Sequence, residues 1–197
     1  MPTDEQGIRK NLHRYQTIPR VLCFVLDGEH VLLLHGAPTK PIWPNKYNGL
    51  GGHVERGEDV LAAARREIKE ESGLDVMNVR LRGVINVDAD EVVGIMLFVF
   101  LADATSTTVR ASKEGWPEWI PLADLSQYDI VEDIAEILPA ALAADREHTV
   151  FFAHSHYGAD GTWTLTWSHH PGRQGDRQED RQGDKERRFQ SEIVPGR

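Results

Sequence analysis

The chain has 197 residues, 40% hydrophobic and 27% charged, which is enough apolar material for one domain with a real core plus extensions. Its formal charge of −9 argues against gripping a nucleic-acid polymer by bulk attraction, although bound cations can invert the local field for a small anionic substrate. The single cysteine, Cys23, excludes a disulfide scaffold or a thiolate zinc cluster built within one chain.

Residues 1–16 read as a polar arm lacking the apolar core of a secretory signal. The longest apolar stretch, 92–101, is interrupted by Gly94 and is too short to span a bilayer, so a cytoplasmic location without a membrane partner is expected. Residues 20–26 and 30–35 are β-branched and leucine-rich, and Asp27-Gly28 between them is a hairpin signal. Residues 43–46 form a Pro/Asn loop. Residues 58–72 are rich in Ala, Arg and Glu and end at Gly73, which predicts a helix with a glycine C-cap. Residues 79–87 and 92–101 predict strands. Two tryptophans and two prolines make 115–122 a loop leading into a short strand. Over 128–144, Ile130, Ile134, Ile137, Leu138 and Leu142 follow a helical period, with a kink expected at Pro139. Residues 149–156 and 162–168 predict a final hairpin. Residues 169–197 repeat Arg-Gln-Gly-Asp-like units with almost no apolar side chains, which predicts a disordered tail. The mixture indicates an α/β or α+β layered fold in one domain, 17–168, that includes the hairpin 149–168.

The chemistry concentrates in Gly52 to Leu74. Glu67, Glu70 and Glu71 are spaced i, i+3, i+4 and fall on one helix face. Three carboxylates so close repel one another unless they face solvent or a cation, and hard divalent ions such as Mg²⁺ or Mn²⁺ take oxygen ligands of this kind. A solvated acidic face is the plain alternative for the trio alone. Ala63, one turn before Glu67, with Ala62 and Ala64 beside it, leaves room for a ligand. Leu61, Ala64 and Ile68 are expected to pack the helix on a sheet. Arg66 keeps its charge and can grip Glu58 with two hydrogen bonds. Cys23 reads as a core residue. With no matched acid or cysteine spacing, His154, His156, His169 and His170 read as non-metal histidines.

The full pattern is G-x5-E-x7-R-E-U-x-E-E-x-G-U, with Gly52, Glu58, Arg66, Glu67, Ile68, Glu70, Glu71, Gly73 and Leu74 in the required places. The sequence thereby resembles the Nudix hydrolase superfamily. The resemblance implies a mixed β-sheet between helices and hydrolysis of a nucleoside diphosphate linked to another group. It implies that Glu67, Glu70 and Glu71, with the Gly51 carbonyl, ligate Mg²⁺ or Mn²⁺ in its place, and that Glu70 or Glu71 helps deprotonate the attacking water. Arg66 and Glu58 would orient the cluster. The segment 111–119 resembles the MutT-like loop that supplies one more acid, at Glu114, with Glu118 as the alternate. The run 46–52 is similar to that of animal 8-oxo-dGTP diphosphatases. That similarity assigns purine recognition to Asn48, with Leu50 replacing an aromatic residue, and base recognition to Glu132 and Asp133. Trp43, Trp116 and Trp119 are candidates for stacking or for the core. The proline of ADP-ribose hydrolases and the tyrosine of dinucleoside polyphosphate hydrolases are missing near 88–92. The expected substrate is an oxidised purine nucleoside triphosphate, cleaved to monophosphate and pyrophosphate. ADP-ribose or a nucleotide sugar, or a non-catalytic nucleotide-binding module, is the alternative. The sequence does not specify an oligomeric state.

Overall fold

The computed structural model describes residues 14–158 and 162–172. Along them run β1 (Gln16–Asp27), β2 (His30–Gly36), β3 (Tyr47–Asn48), β4 (Leu50–His53), α1 (Val60–Ser72), β5 (Val76–Asp88) and β6 (Val93–Ala104). There follow β7 (Gly115–Pro121), a 3₁₀ turn (Leu122–Gln127), α2 (Ile134–Arg146), β8 (Phe151–Tyr157) and β9 (Trp163–His169). The strands form one mixed sheet in the order β3-β2-β1-β6-β5-β8-β9, with β4 also on β1 and β7 on β2. The β1–β6 and β5–β8 pairs are parallel; the rest are antiparallel.

Alternation along β1 and β2 explains the layers, because successive side chains point to opposite faces. Val21, Cys23, Val25, Leu32 and Leu34 meet Ala63, Ala64 and Ile68 of α1. Leu22, Phe24, Val31 and Leu33 meet Ile134, Ile137, Leu138 and Ala141 of α2. Both faces are therefore buried, and the strands read as continuous apolar runs instead of alternating ones. Truncating Ile68, which is fully buried, would remove about 2–5 kcal/mol.

Asp59 starts α1 by accepting from the Leu61 and Ala62 N–H groups, each at 2.9 Å. Gly73 ends it at φ 80°, where its N–H donates to the Lys69 carbonyl. Two packing expectations are corrected: Ala63 is fully buried in the core instead of lining a ligand space, and Leu61 is exposed. The loop leading into a short strand expected over 115–122 is strand from its first residue, as β7, and its prolines are tolerated because β7 pairs with β2 alone. Residues 128–133 are not helical. Tyr47 N–H donates to the Asp129 carbonyl and Val131 N–H to the Tyr47 carbonyl, both at 2.9 Å, so this segment pairs with β3 and α2 starts at Ile134. Pro139 lies on the exposed side of α2.

The hairpin β8–β9 joins the main sheet through β5, with Phe151 opposite Gly83. The Phe151 ring occupies the space a Gly83 side chain would need, which is the close approach that seats the hairpin. Beyond β9, Gly172 N–H donates to Glu147 at 2.6 Å. The tail expected from 169 lies outside the described residues from 173 onward, as does the arm over 1–13.

Candidate active site

The loop 51–59 and α1 bring the acids together around Arg66. Its Nε and Nη2 donate to the two Glu58 carboxylate oxygens at 3.2 and 2.7 Å, the two-point grip expected from the sequence. Nη1 donates to Glu67 at 2.9 Å and Glu70 at 3.3 Å, and Nη2 also to the His53 carbonyl at 3.0 Å. These hydrogen bonds raise the Arg66 pKa and lower that of Glu58. Glu55 N–H adds a bond to Glu58 at 2.8 Å, which ties the loop to the helix.

Glu71 is the buried member, 5% exposed, and its carboxylate accepts from the Gly51 N–H at 2.8 Å. Burial pushes its pKa up to about 7, with repulsion from Glu67 and Glu114 adding to the rise. The Gly51 hydrogen bond and the Lys40 ammonium act in the opposite direction. Glu70 stands out in solvent. A Cβ at Gly52 would collide with the Glu67 carboxylate, so the glycine leaves that acid its place against β4. Among the described residues, no three His, Cys, Asp or Glu side chains are arranged to hold a metal ion as they stand. The donor set nonetheless fits a hard cation. It consists of carboxylate oxygens, one of them buried and repelled by two neighbouring acids, and that repulsion is what a divalent ion relieves.

The two candidates for an additional acid separate. Glu114 faces the box, in reach of Glu71 electrostatically and 3.4 Å from the Lys40 ammonium. Glu118 instead accepts the Tyr47 hydroxyl at 2.9 Å. Together with burial, that contact raises the Tyr47 pKa to about 12.

Beside the α2 layer opens a small cleft of about 90 Å³, lined by Trp43, Asp133, Ser155, Tyr157 and Trp163 over an apolar floor that includes Ile85, Val87 and Leu97. Asp133 precedes α2, but its side chain makes no capping bond, and its buried Oδ1 has no hydrogen-bond partner. Burial raises its pKa to about 6, with Glu132 adding repulsion and the nearby Ile134 and Asp133 backbone N–H groups acting in the opposite direction. Glu132 itself is exposed. Asn48 stands one residue from the β3–Asp129 contacts, and its Oδ1 accepts the Gly49 N–H at 2.7 Å. Asn48 and Glu132 do not line the cleft. Of the tryptophans, Trp43 lines it, Trp119 packs in the core against α1, and Trp116 is exposed beside His35. Trp43 holds a positive φ of 52°, an uncommon backbone state for so bulky a residue. His154 pairs with Asp88 at 2.8 Å and stacks on His156.

The hairpin 149–168 was expected within the domain, but its contribution to the cleft was not visible in the sequence.

A family model for the NUDIX domain matches residues 16–141. The chain belongs to the NUDIX family. It is 36% identical over 112 residues to the oxidized purine nucleoside triphosphate hydrolase of Mus musculus, covering 53% of this chain and 69% of that one. It is 32% identical over 126 residues to the Nudix hydrolase YvcI of Bacillus subtilis, covering 61% and 77% respectively. Its fold is similar to a mutator MutT protein from Bacillus halodurans, with a TM-score of 0.64 at 25% identity over 77% of this chain and 97% of the other. This Nudix protein is a hydrolase, and its general reaction is cleavage of a nucleoside diphosphate linked to another moiety. The hairpin β8–β9 lies beyond the matched residues. No helix among the described residues is long and apolar enough to cross a membrane.

Proposed function

We propose that this hydrolase takes an oxidised purine nucleoside triphosphate, such as 8-oxo-dGTP, and releases the nucleoside monophosphate and pyrophosphate by attack of water at phosphorus. The observation that carries the reading is Asp133, a half-buried acid whose buried Oδ1 is unpartnered, in an aromatic-lined cleft. With its pKa near 6, it takes a proton at little cost, and a neutral carboxyl donates and accepts at once. An oxidised purine offers a complementary donor–acceptor edge. Asn48, beside the Tyr47 contacts with 129–131, would add an amide from outside the cleft lining, and Glu132 would add charge. Trp43 and Trp163 give flat apolar surface for the ring. The likeness to the mouse enzyme supports the same substrate class.

Glu67, Glu70, Glu71 and Glu114, with the Gly51 carbonyl, would hold Mg²⁺ or Mn²⁺, which when bound neutralises phosphate oxygens and lowers the pKa of water. Glu70 or Glu71 accepts the proton of the attacking water. Arg66, pinned by Glu58, keeps the acids aimed. Cys23 is buried in the sheet, where burial pushes its thiol up, so it offers no nucleophile. The substrate is a small nucleotide, not a nucleic-acid polymer, and the setting is cytoplasmic.

The test is a turnover panel with Mg²⁺: 8-oxo-dGTP, dGTP, ADP-ribose and a nucleotide sugar, using wild type, Asp133→Ala and Asn48→Ala. The expected result is preference for 8-oxo-dGTP, reduced roughly tenfold or more in either variant. A preference for ADP-ribose, or discrimination untouched by both variants, contradicts the reading.

A further inference from the structure

The geometry points to Lys40 as the phosphate-binding cation of this site, held by Glu114 until substrate arrives and then transferred to a non-bridging phosphate oxygen. The inference rests on the nucleotide-hydrolase reading above, and two cations are in contention. Arg66 is already committed, since its donors go to Glu58, Glu67, Glu70 and the His53 carbonyl. Releasing it to grip a phosphate would break the frame that aims the acids.

Lys40 is placed differently. Among the described residues its ammonium pairs only with Glu114, at 3.4 Å, which is longer than a well-formed charged hydrogen bond. The lysine is 28% exposed and Glu114 40% exposed, so neither is locked by burial. The stem is guided: its Cδ lies 3.4 Å from where a Gly36 Cβ would stand, against the end of β2. The two loops that carry the pair meet at Ala37. The Lys40 N–H donates to the Ala37 carbonyl at 3.0 Å, and the Ala37 N–H donates to the Glu114 carbonyl at 2.9 Å. The backbone thus places the Lys40 stem at the rim of the acid cluster, with the ammonium held only by the long contact to Glu114.

The charge balance favours the transfer. A triphosphate brings several negative charges to a chain of net −9, next to five acids that already outnumber the neighbouring cations. When Glu114 turns to a divalent ion, the ammonium loses its partner at the moment the phosphate oxygens arrive. A compact ammonium with three rotatable donors suits such an exchange better than a fixed guanidinium fork.

The test uses the full chain with Lys40→Met, which keeps the stem, Lys40→Arg, which keeps the charge, and Lys69→Met, which removes one charge on the outer face of α1. The affinity for Mg²⁺–pyrophosphate is read by calorimetry, KM and kcat for 8-oxo-dGTP by turnover, and Mn²⁺ affinity without nucleotide by electron paramagnetic resonance. Lys40→Met is expected to weaken pyrophosphate binding and raise KM by roughly tenfold or more, with Mn²⁺ affinity unchanged or tighter. Lys40→Arg recovers part of the loss, and Lys69→Met stays within about twofold of wild type. Unchanged pyrophosphate affinity and KM in Lys40→Met, with wild-type turnover intact, overturns the inference alone. Weakened Mn²⁺ binding in Lys40→Met, with pyrophosphate affinity lost only in proportion, also overturns it, because the lysine then serves Glu114 alone. A wild type without nucleotide turnover removes the hydrolase reading and this inference together.

Discussion

Asp133 is expensive to keep. Its carboxyl is buried, its Oδ1 lacks a partner, and folding raises its pKa from 3.8 to about 6. The native state therefore holds a proton that the unfolded chain has released, and stability falls as pH rises from about 4 to about 6. Above that range the ionised acid costs about 1–3 kcal/mol. Asp133→Asn should unfold at a higher temperature than wild type at pH 8, with the gap closing near pH 4, as followed by thermal melts. The same variant should lose discrimination between 8-oxo-dGTP and dGTP, since an amide cannot take up or release the proton. A residue that destabilises the fold yet supports selectivity marks a site, whereas a structural acid would lower both when removed. The meeting of the box acids around Arg66 was legible in the sequence because their spacing, together with the Arg66 and Glu58 positions, completes the family's pattern. Asp133 was legible only as one of a pair. Which member points inward depends on where α2 begins, and the backbone pairing of 129–131 with β3 sets that.

At the scale of elements, two joints decide whether the cleft exists. The first ties β5 to α2, where Arg80 reaches Asp145 at 2.6 and 2.8 Å and Arg82 reaches it at 2.7 Å. These hydrogen bonds hold the Asp145 pKa down to about 2, against 3.8 for the free group. The sign is opposite to that of Asp133: this contribution is complete above about pH 4 and disappears as pH falls toward 2. After discounting for partial exposure, Asp145→Asn should cost about 1–2 kcal/mol at pH 7 and almost nothing at pH 2, measured by urea unfolding at the two pH values. The second joint is Phe151 on Gly83. Gly83→Val should displace the hairpin, raise KM and leave Mn²⁺ affinity unchanged, because β8 packs on β5 and α2 while the box acids are carried by α1. Within the hairpin, the Trp163 indole donates to Ser155 at 2.9 Å and lines the cleft, so Trp163→Ala should raise KM roughly tenfold with kcat nearly unchanged. Periodicity identified both helices and the buried strands. It failed at β7, where prolines signalled a loop and only the pairing with β2 reveals an edge position, and at 128–133, where a helical spacing of isoleucines belongs to a segment that pairs with β3.

For the whole molecule, one sheet carries both parts of the proposed site, which a single nucleotide has to bridge. The α1 side carries the acid box, and the α2 side, closed by the hairpin, carries the cleft with Asp133. Under the proposed function, a net charge of −9 is compatible with an anionic substrate because cations at the site would neutralise it locally and not through the overall field. The fold was legible because apolar runs buried on both faces require helices on both sides. The cleft was not, because it is assembled from Trp43, Asp133 and Trp163, residues far apart in the chain whose meeting depends on the parallel β5–β8 pairing. Hydrolysis as proposed depends most on the acids of α1 gripping a divalent ion. Electron paramagnetic resonance titration of Mn²⁺ into wild type and into Glu67→Gln, Glu70→Gln and Glu71→Gln tests this directly, in the presence of a non-hydrolysable triphosphate analogue. The predicted result is saturable binding to wild type that weakens roughly tenfold or more in each variant while thermal melts confirm folding. Equal Mn²⁺ affinity in all four proteins would contradict it.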